Sequence, residues 1–376
     1  LLPMIPSQKR IYLIADKNTF EAAGEKVVEN INSKEYKVKP IVLKDENVMP
    51  DPDFLFKIME SLTEPGYIIA CGSGTINDLT AYIAHKLNWP YLVIGTAPSM
   101  DGYASSVATL TVEGVKTSYK ITPPQIIAAD IEVLKNAPWT LIQSGLGDLL
   151  GKITSLLDWK LSQILFGEFY CEKAVSLIKP RLKKITKIEG NKVDRVYKRN
   201  FKNINDLTEG LIASGLSMYM AGSSRPASGS EHQISHFLDF YSHLYDQPVP
   251  NHGIKVAIGT YFTSAFYLKL LNKDFTRLKV LNDFEKRIRD IESIYKTRAK
   301  VIKDNFNYRT QNNILTENLL SAKEEEIKDM INQSREMLNK GKKLIQRYGI
   351  LKRNDVRDIN IEWMEHAFNY GFEISK

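Results

Sequence analysis

Five short apolar runs, each followed by a stretch patterned for a helix, constrain the fold of this chain more than any other feature. They cover residues 11–15, 40–43, 67–70, 91–94 and 126–129. Runs this short and uniformly apolar fit strands buried on both faces. After Gly74, Ile76, Leu79, Ile83 and Leu87 recur at helical spacing. Alternation of strand and helix predicts a parallel sheet covered by helices, because parallel neighbours need a crossover between them. Pro123, Pro124 and Pro138 punctuate the end of this half.

From about Trp139 onward the pattern is helical. Residues 152–165, 172–187, 205–221 and 232–244 each carry an apolar stripe. Region 272–345 is rich in Lys, Glu, Asp and Asn, yet Phe284, Ile288, Ile291, Ile294 and Tyr295 keep a stripe. It reads as long exposed helices. The expected architecture is an α/β nucleotide-binding domain over residues 1–138 and an all-helical domain over 139–376. A ligand site is expected in the cleft between them.

The 376 residues suffice for two such domains. The net charge is +7. Its basic residues are mixed with acids, as in 283–304, so they read as solvated helix faces and not as a nucleic-acid surface. A mild positive field also attracts anionic substrates. No apolar run approaches the length of a membrane span, and residues 1–6 are too short for a signal peptide. The two cysteines, Cys71 and Cys171, offer no disulfide framework and fit a reducing cytoplasm. Any metal must therefore rest on His and Asp.

Residues 67–78 read as strand, tight glycine turn and helix. The turn is Gly72-Ser73-Gly74-Thr75. Glycines let a backbone approach a phosphate, and a helix N-terminus offers N–H groups to an anion. The string is neither Gly-x-Gly-x-x-Gly nor a Walker loop, and it serves equally as a plain turn. Asp16 ends the first strand, where an acid can bind ribose hydroxyls or cap a helix. Thr96, Ser99 and Asp101 lie in a polar loop after another apolar run, a position suited to a ligand crevice.

Two imidazoles and a carboxylate can hold a divalent metal and leave a position open for substrate. His232 and His236 stand four apart, on one helix face. His252 precedes Gly253, which permits close approach at a turn. Asp148 is expected at the start of a helix, where the macrodipole also favours an acid. The Glu precedes the first His, so the string is not a His-Glu-x-x-His protease motif. Each of these residues taken alone reads as a cap or a loop residue. Together, in segments of small polar residues, they favour a site.

Four segments carry a resemblance. They are Gly72-Ser-Gly-Thr-Ile-Asn-Asp-Leu, Thr96-Ala-Pro-Ser-Met-Asp-Gly-Tyr-Ala-Ser-Ser, Gly147-Asp-Leu-Leu-Gly-Lys and Ser224-Arg-Pro-Ala-Ser-Gly-Ser-Glu-His-Gln-Ile-Ser-His-Phe. In this order they resemble the dehydroquinate synthase-like superfamily, which includes iron-containing alcohol dehydrogenases and glycerol dehydrogenases. Within it they are similar to the bacterial branch of sn-glycerol-1-phosphate dehydrogenases, over roughly residues 10–260. Region 272–345 departs from that pattern and looks expanded.

The resemblance implies a Rossmann-like N-terminal domain and a helical C-terminal domain. It implies one divalent metal (zinc, nickel or iron) on Asp148, His232 and His252. Gly72, Ser73, Gly74 and Thr75 would hold the pyrophosphate of NAD, with Asp78 beside them. Asp16 stands where NAD-preferring relatives carry a ribose-binding acid; many relatives have glycine there and accept NADP as well. Thr96, Ser99 and Asp101 would line the nicotinamide and substrate. Arg225, Lys152 and Lys255 would meet a small phosphorylated substrate, and Asp101 or His236 would relay a proton. The implied reaction interconverts dihydroxyacetone phosphate and sn-glycerol 1-phosphate, in a cytoplasmic homodimer or larger assembly serving phospholipid biosynthesis. The alternatives are a glycerol or small-polyol dehydrogenase and, further off, a dehydroquinate-synthase-like cyclase.

Overall fold

The computed structural model describes residues 10–34, 36–112, 115–187, 200–280, 283–312 and 315–371. Residues 1–6, expected to be too short for a leader, lie outside the described residues. Contacts group the chain into two units, residues 1–149 with 177–222 and residues 150–176 with 223–376.

The first unit carries a parallel sheet. Its strands are β1 (Arg10–Asp16), β2 (Val38–Leu43), β3 (Gly66–Gly72), β4 (Tyr91–Gly95) and, after a hairpin described below, β7 (Ile126–Ala129). The order is β2-β1-β3-β4-β7, and every neighbouring pair is parallel. These are the five expected runs. Their uniform apolarity follows from burial on both faces. Tyr12, Ile14, Ile68 and Val93 join one core with Leu55, Ile58, Ile76 and Leu79. Ile11, Leu13, Ile69 and Leu92 join another with Ala23 and Ile31. Helix α1 (Glu25–Asn32) thus covers one face, and α2 (Pro52–Glu60) with α3 (Gly74–Leu87) covers the other.

One element was not expected. β5 (Val107–Val112) and β6 (Val115–Lys120) form a separate antiparallel pair, with Ala108 opposite Tyr119 and Leu110 opposite Thr117. Ala108 and Leu110 point into the core shared with α3. The alternation in Val-Ala-Thr-Leu-Thr-Val is the signal that could have found it.

The remaining major elements are helices: α4 (Trp139–Phe166), α5 (Glu172–Thr186), α6 (Phe201–Ala221), α7 (Ser230–Tyr245), α8 (His252–Leu270), α9 (Phe284–Tyr295), α10 (Ala299–Asn312), α11 (Glu324–Arg347) and α12 (Ile361–Tyr370). The described residues of region 272–345 are mostly helical, as expected, and α11 buries Ile327, Ile331, Leu338 and Ile345 on one stripe. Phe284 departs from its expected place in a stripe and is 48% exposed. Among the described residues, no helix is long and apolar enough to cross a membrane.

Two boundaries differ from expectation. Helix α4 starts at Trp139 and not at residue 152, so Asp148 stands well inside it. Gly145, Gly147 and Gly151 disguise the helix, since each interior glycine costs about 1 kcal/mol. Two of them are there for close approach. A Cβ on Gly145 would lie 1.8 Å from the Pro98 carbonyl oxygen, and one on Gly151 would lie 2.6 Å from Val256 Cγ1. His252, expected at a turn, is the first residue of α8, with Asn251 as its N-cap.

Candidate metal centre

Asp148 is wholly buried. Its Oδ2 accepts a hydrogen bond from the backbone N–H of Asp101 at 2.9 Å. The loop that supplies this N–H runs on from β4 and rests on helix glycines. Gly145 admits Pro98, and Gly215 of α6 admits the Asp101 backbone, whose oxygen would lie 2.7 Å from a Cβ there. The Asp101 carboxylate accepts from Ser214 Oγ at 2.7 Å. Asp148 and the loop carrying Thr96, Ser99 and Asp101 are therefore one packed assembly.

His232 is buried on the first turn of α7, and His252 opens α8. Their ring centroids lie 5.1 Å apart, and His236 stands 6.3 Å and 6.4 Å from them. Asp148, His232 and His252 each offer a ligand atom, all within 4.8 Å of one another. Among the described residues this is the one such group. His252 Nδ1 lies 3.4 Å from Ser235 Oγ. His232 Nδ1 lies 2.8 Å from Glu231 Oε1.

Glu231 was noted in the sequence only for its position before His232, yet it is held by three hydrogen-bond donors. It is wholly buried and also accepts from Thr154 Oγ1 at 2.6 Å and Gly229 N–H at 2.7 Å. Burial pushes its pKa up, but the bonds from His232, Thr154 and Gly229 outweigh burial and hold the carboxyl below its ordinary range. Asp158 lies nearby and accepts from Ser230 N–H at 2.6 Å and from the Tyr267 hydroxyl. Burial and the Glu231 charge raise it to about 6.

The expected cofactor residues gather at the C-terminal edge of the sheet. Strand order reverses between β1 and β3, and a crevice at such a switch point is where open sheets bind ligands. Asp16 ends β1 and Gly72 ends β3. Gly72 is required, because a Cβ would lie 2.5 Å from Ile76 Cβ. Ser73 is the N-cap position of α3, which begins at Gly74 and Thr75. Thr96 N–H donates to the Gly72 carbonyl at 3.1 Å. The buried Thr96 hydroxyl has no hydrogen-bond partner among the described residues. Asp16 caps the following turn, accepting from Thr19 N–H at 2.9 Å. Beside it, burial and the Asp16 charge push the Cys71 thiol up to about 12, which makes it inert. Asp78 is engaged by the backbone of Thr109 in β5; burial drives it up to about 8 against the pull of Lys116.

The expected phosphate-binding cations are already engaged. Lys152, one turn beyond Asp148, is wholly buried and donates to the Ala227 carbonyl at 2.9 Å. Lys255 forms a buried ion pair with Asp239. Arg225 pairs with Glu168 at 2.7 Å, in a half-exposed position.

The model of the iron-containing alcohol dehydrogenase family matches residues 4–138. The chain is 32% identical over 305 residues to a glycerol-1-phosphate dehydrogenase (NAD(P)+) of Bacillus subtilis, a match covering 79% of this chain and 75% of that protein. It is 34% identical over 250 residues to the one from Thermococcus kodakarensis, covering 66% and 68%. With the one from Bacillus velezensis the identity is 34% over 262 residues, covering 69% and 66%. The chain thus spans about two thirds of the length of the curated relatives it matches. Among solved structures it is similar to glycerol dehydrogenase from Schizosaccharomyces pombe, with a TM-score of 0.57 at 18% identity over 93% of this chain and 87% of that one. A crystal structure of an iron-containing alcohol dehydrogenase gives 0.57 at 11% identity, over 98% and 92%. At such identities the likeness is one of fold.

Proposed function

The chain belongs to the glycerol-1-phosphate dehydrogenase family, and we propose that it interconverts dihydroxyacetone phosphate and sn-glycerol 1-phosphate using NAD(H) and a divalent metal. The observation that carries this reading is the convergence of Asp148, His232 and His252 within 4.8 Å. Two imidazoles and one carboxylate are a donor set suited to zinc, nickel or iron, with room for a substrate oxygen. The buried hydroxyl of Thr96, without a partner among the described residues, suits a bound nicotinamide or substrate. When bound, the metal supplies Lewis-acid polarisation of a carbonyl oxygen and the nicotinamide supplies hydride.

The chain's own residues bind and orient. Gly72, Ser73, Gly74 and Thr75 would hold the pyrophosphate at the N-terminus of α3. Asp16 would bind the adenosine ribose, and Thr96 and Ser99 would bind the nicotinamide. Asp78, held near neutrality at physiological pH, does not repel the phosphates. Asp101 and His236 pass the proton between solvent and the substrate oxygen.

Among the cations, Arg225 is the best phosphate anchor. Its pair with Glu168 is half-exposed, so exchanging it for a phosphate costs little. Breaking the buried Lys255–Asp239 pair costs several times more. Lys152 lies on the Asp148 helix and orients the loop at Ala227. The same reading carries a cytoplasmic enzyme assembled as a homodimer or larger, which light scattering of the purified chain tests.

The decisive experiment follows NADH oxidation by metal-loaded enzyme with dihydroxyacetone phosphate and with dihydroxyacetone. A desolvated phosphate contact predicts a preference of about 100-fold or more in kcat/KM for the phosphorylated substrate. Equal turnover of the two would instead make this a small-polyol dehydrogenase.

A further inference from the structure

We infer that Glu231 is a positioning residue for the metal centre: it sets the tautomer of His232 and holds that ring in place for coordination. The inference rests on reading Asp148, His232 and His252 as the metal ligands.

A carboxylate only accepts hydrogen bonds, so the 2.8 Å contact requires the proton of His232 on Nδ1. In the neutral ring the unprotonated nitrogen is then Nε2, and that is the atom able to coordinate. Glu231 can impose this choice because it is itself immobile. Oε1 also accepts from Gly229 N–H at 2.7 Å, and Oε2 accepts from Thr154 Oγ1 at 2.6 Å. Two helices and the turn before α7 close on it through glycines. A Cβ on Gly259 of α8 would lie 2.6 Å from the Glu231 carbonyl oxygen. One on Gly229 would lie 3.1 Å from Oε2, and one on Gly151 of α4 would lie 3.4 Å from Glu231 Cγ. Among the described residues, the donors to this buried anion are a hydroxyl, an amide and an imidazole. A divalent cation on that imidazole would add positive charge beside the carboxylate and strengthen the contact. His252 has a weaker counterpart, the hydroxyl of Ser235 at 3.4 Å.

The test uses the full chain and zinc alone as probe. Four variants are compared: Glu231→Gln, Glu231→Ala, Thr154→Val and His232→Ala. Two quantities are read: the zinc dissociation constant by chelator competition, and the protonation of each ring nitrogen by 15N NMR of the metal-free protein. Glu231→Ala is expected to weaken zinc about 10–100-fold and to shift the His232 proton away from Nδ1, with Glu231→Gln in between. Thr154→Val keeps the contact to His232 and is expected to stay within about threefold of the parent. If Glu231→Ala does not fold, Glu231→Gln carries both readouts. Zinc affinity within about threefold and an unchanged tautomer in a folded Glu231 variant would overturn the inference. So would a Thr154→Val loss as large as that of Glu231→Ala, since Glu231 would then act through packing alone. His232→Ala separates the two levels: if it keeps zinc, the ligand set itself is wrong.

Discussion

Asp148 stands inside a helix, away from the end where a macrodipole would favour a carboxylate, and it is wholly buried. Such a charge needs compensation. The Asp101 N–H contributes to it, and a bound metal would add to it. Asp148→Asn keeps the shape and removes the charge. We expect zinc affinity and kcat/KM to fall together, each by about 100-fold or more, measured by metal content and NADH oxidation. An Asn variant with full metal and full activity would remove Asp148 from the site. Asp16 is a second residue-scale case, because it both caps a turn and ends β1. Asp16→Gly is expected to raise the NADPH/NADH ratio of kcat/KM by about tenfold, since the carboxylate no longer opposes a 2′-phosphate. It also costs a few tenths of a kcal/mol for the lost cap. An unchanged ratio would leave Asp16 as a cap only.

At the scale of elements, interior glycines do what a propensity scale counts against them. Gly145 and Gly151 hide α4 in the sequence, and in the structure they let a loop and a neighbouring helix reach its backbone. Gly259 does the same for α8 against the first turn of α7, where the would-be neighbours are Glu231 backbone atoms. Backbone cannot rotate out of the way, so Gly259→Ala must part the two helices. We expect it to lower stability by about 1–3 kcal/mol and to weaken zinc binding in the folded fraction. Calorimetry and chelator competition measure the two effects. Gly167→Ala is the control: its φ is +67° but nothing lies within 4 Å of a Cβ, so it should cost backbone strain and leave zinc binding alone. Matching zinc affinities in the two variants would show that the α7–α8 approach does not set the site. The hairpin β5–β6 teaches a related lesson. Its alternation places Ala108 and Leu110 on the buried face, with Val112 and Tyr119 packed against the same core.

For the whole molecule, the partly buried acids Asp158 and Asp78 set how stability varies with pH. The folded state raises Asp158 to about 6 and Asp78 to about 8, from an ordinary value near 4. Between the ordinary and the raised value the folded state binds more protons than the unfolded chain. Stability therefore falls as pH rises through that window. Below pH 4 neither group contributes a charge penalty, and above about 8 the Asp78 penalty is complete. Glu231 runs the opposite way, its stabilisation being lost as pH falls through its lowered pKa. Asp78→Asn should therefore gain thermal stability relative to the parent as pH goes from 5 to 9, in metal-free scanning calorimetry. A difference that stays flat across that range would show that Asp78 is not held neutral. Asp78 faces Lys116 and Asp101 as well as Thr109, so the comparison belongs at constant ionic strength.

The chain by itself determined the strand–helix alternation, because strands buried on both faces must be apolar throughout, and that requirement shows in a linear string. It also singled out Asp148, His232 and His252, which converge in the structure, and the glycine turn, since each lies in a contiguous segment. The hidden start of α4, the helix opened by His252 and the role of Glu231 depended on tertiary packing. Asp101 meets Asp148 across 47 positions and Thr154 meets Glu231 across 77. Such pairs come together only when backbones approach closely enough to require glycine, and that approach is a property of the packed helices and not of any one segment.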